Sequence, residues 1–182
     1  MTLSEVLSII SISAVIAGGL FSLFQWRHKI KINRSKSIIE MLRETLSEDV
    51  NDFIYMIEYG ELWYQAGFAG SKKERVVDKA LSYFSYICYM YTKKIITDEE
   101  FSLEAYSIVR TLNDHQVQNY LFNIYELSKK QKIKEDKGGK LKTYDFCALI
   151  DFGIEKEILP KDFKDLGARH RLGYTTEFMD VA

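Results

Sequence analysis

From Val6 to Trp26 the chain carries no charged side chain, and the run VLSIISISAVIAGGLFSLFQW constrains the fold more than any other segment. As an α-helix it is long enough to cross the roughly 30 Å hydrocarbon core of a bilayer. Arg27, His28, Lys29, Lys31, Arg34 and Lys36 follow it directly, whereas Glu5 and the amino terminus are the only charges before it. By the positive-inside rule this asymmetry keeps the C-terminal bulk in the cytoplasm. A cleaved secretory signal is the competing reading, but signals carry their positive charge before the apolar stretch and end at small residues. Here the charge comes after, and the run closes on Phe21, Leu23, Phe24 and Trp26. The expected organisation is an anchor over residues 1–26, a basic juxtamembrane segment over 27–37 and a cytoplasmic helical domain over 38–182.

The run has a patterned face. Ser4, Ser8, Ser11, Val15, Gly18 and Ser22 follow steps of four and three, forming one small and mostly polar seam, while Leu7, Ile9, Ile10, Ile12, Ile16 and Leu20 occupy other faces. Small residues let membrane helices approach closely. The seam therefore predicts a homo-oligomer whose anchors turn hydroxyls toward each other or toward an axial pore.

One proline and ten glycines in 182 residues, with abundant Leu, Ile, Tyr, Lys and Glu, favour an all-α fold. Helical spacing predicts helices over residues 38–59, 74–95, 98–111, 115–131 and 142–158. Thr97 and Glu100 form a capping box, and Asn113 and Asp114 are both good N-caps. On the fourth helix, Val117, Leu121, Ile124 and Leu127 are expected to face inward. Between the first two helices, ELWYQAGFAGSKKE reads as a turn around a short aromatic helix. Tyr83, Tyr86 and Tyr89 make a stripe at a core edge or interface. Residues 128–142, with seven lysines against Glu135 and Asp136, read as a linker that contacts solvent or anionic headgroups, or RNA as the sharper alternative.

Net charge is −1, which argues against a general polyanion binder. Cys88 and Cys147 lie in apolar contexts without a CxxC partner or a histidine at zinc spacing, so they read as reduced core residues. No metal or cofactor is expected. The chain has neither a phosphate-binding glycine loop nor a nucleophile elbow.

Arg110 and His115 form an R-x4-H pair where one predicted helix ends and the next begins. Along an unbroken helix the two would lie roughly 140° apart, but a break at Asn113 or Asp114 brings both to one surface. A guanidinium holds a phosphate by paired hydrogen bonds, and an imidazole transfers protons near neutrality, as attack by a ribose 2′-hydroxyl requires. Alternatively, Arg110 pairs with Glu104 or Asp114 and His115 occupies a first helical turn. Arg169-His170-Arg171 is a second basic group that either binds phosphate or a partner's acids, or caps a helix C-terminus.

The R-x4-H pair resembles the metal-independent ribonuclease signature of the HEPN superfamily, with Thr111 standing where active members often carry Asn, His or Asp. Together with the short length, the N-terminal apolar run and the helical remainder, the chain resembles the small membrane accessory proteins of type VI-B CRISPR systems. The resemblance implies a HEPN-like bundle at the cytoplasmic side of a bacterial inner membrane, assembled as a ring or pore. It also implies a functional link to an RNA-guided, RNA-cleaving effector, whose anti-phage defence it strengthens by permeabilising the membrane. A membrane-tethered ribonuclease using Arg110 and His115, and a passive helical interaction module, are the alternatives.

Overall fold

The computed structural model describes residues 3–135 and 146–175, with the side chains of residues 3–15, of several positions between 28 and 45 and of residues 131–135 outside that set. The described residues are all-α, without a strand: α1 Leu3–Glu58, α2 Lys72–Thr92, α3 Asp98–Asn113, α4 His115–Glu135, α5 Cys147–Glu155 and a short α6 Arg169–Leu172 preceded by a 3₁₀ turn, Leu166–Ala168. Two compact units are present, residues 1–39 and 40–182.

In the first unit, Ile16, Leu20, Phe21, Leu23, Phe24 and Trp26 are all exposed, between 56% and 70%. Among the described residues no helix is long and apolar enough to cross a membrane. Of the apolar run, the side chains of Val6 to Val15 lie outside the described set. So do four members of the seam, Ser4, Ser8, Ser11 and Val15, while Gly18 and Ser22 are exposed and a Cβ at Gly18 would meet nothing within 4 Å.

The second unit is built around α4. The expected inward stripe holds for Val117 and Leu121, but Ile124 is half-buried and Leu127 is 39% exposed. Instead Asn119, Tyr120, Leu121, Phe122, Asn123, Tyr125 and Ser128 are buried, so the helix is enclosed on most sides through its middle. A helix at the centre of a bundle has no single apolar face to read. Nor does a linker begin at Ser128, because α4 continues to Glu135. The rest of the lysine-rich stretch, from residue 136, lies outside the described residues.

Local chemistry explains the helix ends. The Ser71 hydroxyl accepts the Glu74 N–H at the start of α2, and the reciprocal Thr97/Glu100 capping box opens α3 as expected. α2 stops at Thr92 rather than 95 because Lys94 turns left-handed (φ 53°), its N–H reaching the Tyr91 carbonyl and that of Ile95 the Met90 carbonyl, each at 2.9 Å. α5 ends likewise at Glu155, short of the expected 158, with Glu157 at φ 56°. On α2, Val77, Leu81, Phe84 and Cys88 are fully buried, and the tyrosine stripe grades from buried Tyr83 through Tyr86 to exposed Tyr89. Among the described residues neither cysteine is in a disulfide; Cys147 is half-buried, and burial pushes the Cys88 thiol up to about 12.

The aromatic helix expected after Gly60 does not form. Residues 60–71 are turns, with Gly60, Gly67 and Gly70 all at positive φ, which breaks helical hydrogen bonding three times in succession. Its rings nevertheless enter the core: Trp63, Tyr64 and Phe68 are at most 3% exposed and meet Tyr120 at centroid distances of 6.1, 5.5 and 5.4 Å.

α2 packs most extensively against α5; on α5, Gly153 lets Leu112 of α3 and Leu159, just after α5, approach. A Cβ there would sit 2.8 Å from the Leu159 side chain and 3.3 Å from that of Leu112, both essentially inaccessible. Gly153→Ala is therefore expected to lower stability by about 1–3 kcal/mol, measured as a lower midpoint of thermal unfolding.

Candidate functional site

The α3–α4 junction is one residue long. Asp114 leaves the helical region at ψ 127°, and its carboxylate accepts the Val117 N–H at 3.0 Å, so it ends α3 and caps α4 at once. Gln118 Nε2 returns to the Leu112 carbonyl at 2.8 Å and Asn113 Nδ2 to that of Val109 at 2.9 Å. With the Thr111 and Leu112 carbonyls engaged, the break expected between Arg110 and His115 is held at Asp114.

Arg110 occupies the last turn of α3 and is exposed. Among the described residues neither Glu104 nor Asp114 pairs with it: Glu104 accepts the Tyr83 hydroxyl at 3.1 Å, and Asp114 is committed to its cap. His115 opens α4, also exposed, its ring 5.6 Å from that of Tyr174. Its Nε2 lies 3.8 Å from where a Cβ on Gly173 would sit, and Gly173 itself requires φ 70°. Thr111 faces the core with its hydroxyl buried and unpaired among the described residues. The position after the arginine therefore offers no polar group to the surface on which Arg110 stands.

Gln116, the next residue, is a structural clamp that spacing alone does not reveal. Its Oε1 accepts the Trp63 and Tyr64 N–H groups, both at 2.9 Å, while its Nε2 donates to the Glu61 carbonyl at 2.9 Å. One side chain thus satisfies three backbone groups of the glycine-rich segment and fixes it beside His115.

The second basic group is not available to a phosphate in the way its sequence suggests. Arg169 lies over the Phe122 ring at 4.9 Å, donates to Asn123 Oδ1 at 2.7 Å and pairs with Glu126, while Arg171 pairs with Asp162. Arg169 stands at the C-cap of the 3₁₀ turn, and its side chain ties the C-terminal segment to α4. Asn123 Nδ2 donates to the Tyr64 hydroxyl at 2.5 Å and to the Thr175 carbonyl at 2.7 Å, and Asn119 Oδ1 accepts the Thr175 N–H at 3.1 Å. Burial pushes the Tyr64 hydroxyl up to about 12 against the opposing Asn123 hydrogen bond. Burial also acts to raise the Glu126 carboxyl, but hydrogen bonds and charge from Lys130 and Arg169 outweigh it and hold Glu126 below its ordinary value.

Elsewhere, a cleft of about 560 Å³ opens where α2 and α5 end, lined by Tyr91, Lys94, Asp98, Phe152, Glu155 and Lys156. Its two cations are matched by two acids, so it has no charge preference. Among the described residues no group of three or more His, Cys, Asp or Glu side chains is placed to hold a metal ion. No family profile, curated protein or solved structure matches the chain.

Proposed function

We propose that the protein is an oligomeric inner-membrane accessory of RNA-guided anti-phage defence, acting by permeabilising the membrane. The observation that carries this reading is the uncharged run from Val6 to Trp26, ended by a cluster of five Lys or Arg within residues 27–36. The exposure of Ile16, Leu20, Phe21, Leu23, Phe24 and Trp26 supports it, because so much contiguous apolar surface on a helix calls for a lipid or helical partner. The small-residue seam supplies the means of association, and the resemblance to type VI-B accessory proteins supplies the biological setting.

A ribonuclease reading draws support from Arg110 and His115, both exposed on either side of a fixed helix break. It is the weaker of the two, since buried Thr111 contributes nothing to their surface and the other basic group is consumed by Glu126 and Asp162.

A potential-sensitive dye in cells expressing the full chain beside an active RNA-guided effector tests the proposal. The parent is expected to depolarise the membrane, and Ser8→Leu/Ser11→Leu/Gly18→Leu, matched for expression and insertion, is expected to leave the potential intact. An unchanged potential with the parent counts against permeabilisation.

A further inference from the structure

The outward face of α3 carries two large apolar side chains that nothing among the described residues covers. Leu103 and Tyr106 are 66% and 69% exposed, while the opposite face sends Phe101, Ile108, Thr111 and Leu112 into the core. Glu99, Leu103, Tyr106, Arg110 and Asn113 are all exposed and follow steps of four, three, four and three, the spacing of a coiled-coil seam. Such a seam normally lies against a second helix, and among the described residues nothing covers it.

The order of residues along the seam specifies what does. The midpoint of Leu103 and Tyr106 falls between residues 104 and 105, and the midpoint of Glu99 and Arg110 falls at the same place. A two-fold axis through that point lays α3 antiparallel on its own copy. Leu103 then meets Tyr106 of the second copy, and Glu99 meets its Arg110, each contact occurring twice. This is the self-complementarity that an isologous interface demands. A parallel arrangement would instead set Glu99 against Glu99 and Arg110 against Arg110, like charges at close range. Neither Glu99 nor Arg110 has an ion-pair partner among the described residues, so both are free to take one.

We infer that α3 is a homodimerisation helix, packing antiparallel against α3 of a second copy of this chain, with Glu99–Arg110 pairs closing both ends of a Leu103/Tyr106 centre. Arg110 is thereby an association residue. The inference rests on the α3 surface and not on the membrane reading: a chain associating only through its N-terminal helix would be indifferent to changes at Glu99 and Arg110.

Two measurements on the full chain in detergent and in native membranes test it. Glu99→Arg or Arg110→Glu alone sets like charges together twice and is expected to weaken association at least about tenfold, while the double exchange restores it to within about threefold of the parent. For cross-linking, Cys147→Ala removes the accessible thiol, Cys88 being fully buried. Co-expressed Glu99→Cys and Arg110→Cys chains are then expected to form a mixed disulfide. Glu99→Cys alone is not, because its two copies would lie about 16 Å apart along the helices, beyond the reach of about 7 Å between Cα atoms. Single exchanges without effect, a double exchange that fails to restore association, or cross-linking of Glu99→Cys to itself as readily as to Arg110→Cys would each overturn the inference. The last would give the face to a parallel packing, and the first would give it to a different protein.

Discussion

Exchanging Ile10 and Ile12 for arginine is expected to move the chain from the membrane fraction to the soluble fraction. Both stand inside the uncharged run, on faces away from the serine seam. Arginine costs about 2.5–3.5 kcal/mol at the centre of a span and less toward its ends, and isoleucine contributes a few tenths favourably, so at these positions the double exchange opposes insertion by several kcal/mol, at most about 8. No flanking residue offsets a penalty of that size. The measurement is alkaline carbonate extraction of cell membranes: parent protein pelleting and the variant in the supernatant is the expected result. Parent protein that extracts as freely as the variant would remove the basis for a membrane role. A Lys29→Gln/Lys31→Gln variant, altered in the flank but not in the run, is expected to stay in the pellet with the parent.

Trp63→Ala is expected to destabilise the second unit by about 3–5 kcal/mol, the usual cost of emptying a large aromatic site that cannot collapse. Trp63 is 1% exposed and packs against Phe53, Phe68 and Tyr120 at centroid distances of 6.0, 5.2 and 6.1 Å. The segment that carries it has no secondary structure of its own and depends on the Gln116 clamp and on this ring for its position. The indole N–H is buried and unpaired among the described residues, so the site favours the ring but not its donor. Trp63→Phe, which keeps an aromatic ring and removes that donor, is accordingly expected to cost less than half as much. Denaturant unfolding followed by circular dichroism separates the two; equal losses would mean that the smaller ring recovers none of the indole's packing.

Helices with strong local signals are the legible part of this fold. The Thr97/Glu100 box places the start of α3 to the residue, and Asp114 ends one helix and begins the next because its short carboxylate reaches a backbone N–H three residues on. The R-x4-H break follows from the same local chemistry. Less legible is whatever depends on distant partners. Trp63 and Tyr64 are adjacent to three glycines, and only Gln116, more than fifty residues away, makes their non-helical backbone a stable part of the core. Arg169 looks like a surface cation in sequence but folds under Phe122 and Glu126, since a guanidinium can be buried wherever a ring and a carboxylate meet it. The seam of α4 is blurred because a central helix contacts neighbours on most sides. The outward stripe of α3 is present in sequence spacing too, but exposure alone distinguishes it from an inward stripe.

An N-terminal helix that permeabilises the membrane differs measurably from one that merely tethers a helical domain. Replacing residues 1–26 with an unrelated single span of equal length, and measuring ion flux across vesicles that hold equal amounts of inserted parent or exchanged protein, separates the two. Flux is expected with the parent and none with the exchanged chain. Equal flux from both, or none from the inserted parent in the presence of the target-bound effector, would contradict permeabilisation by the N-terminal helix.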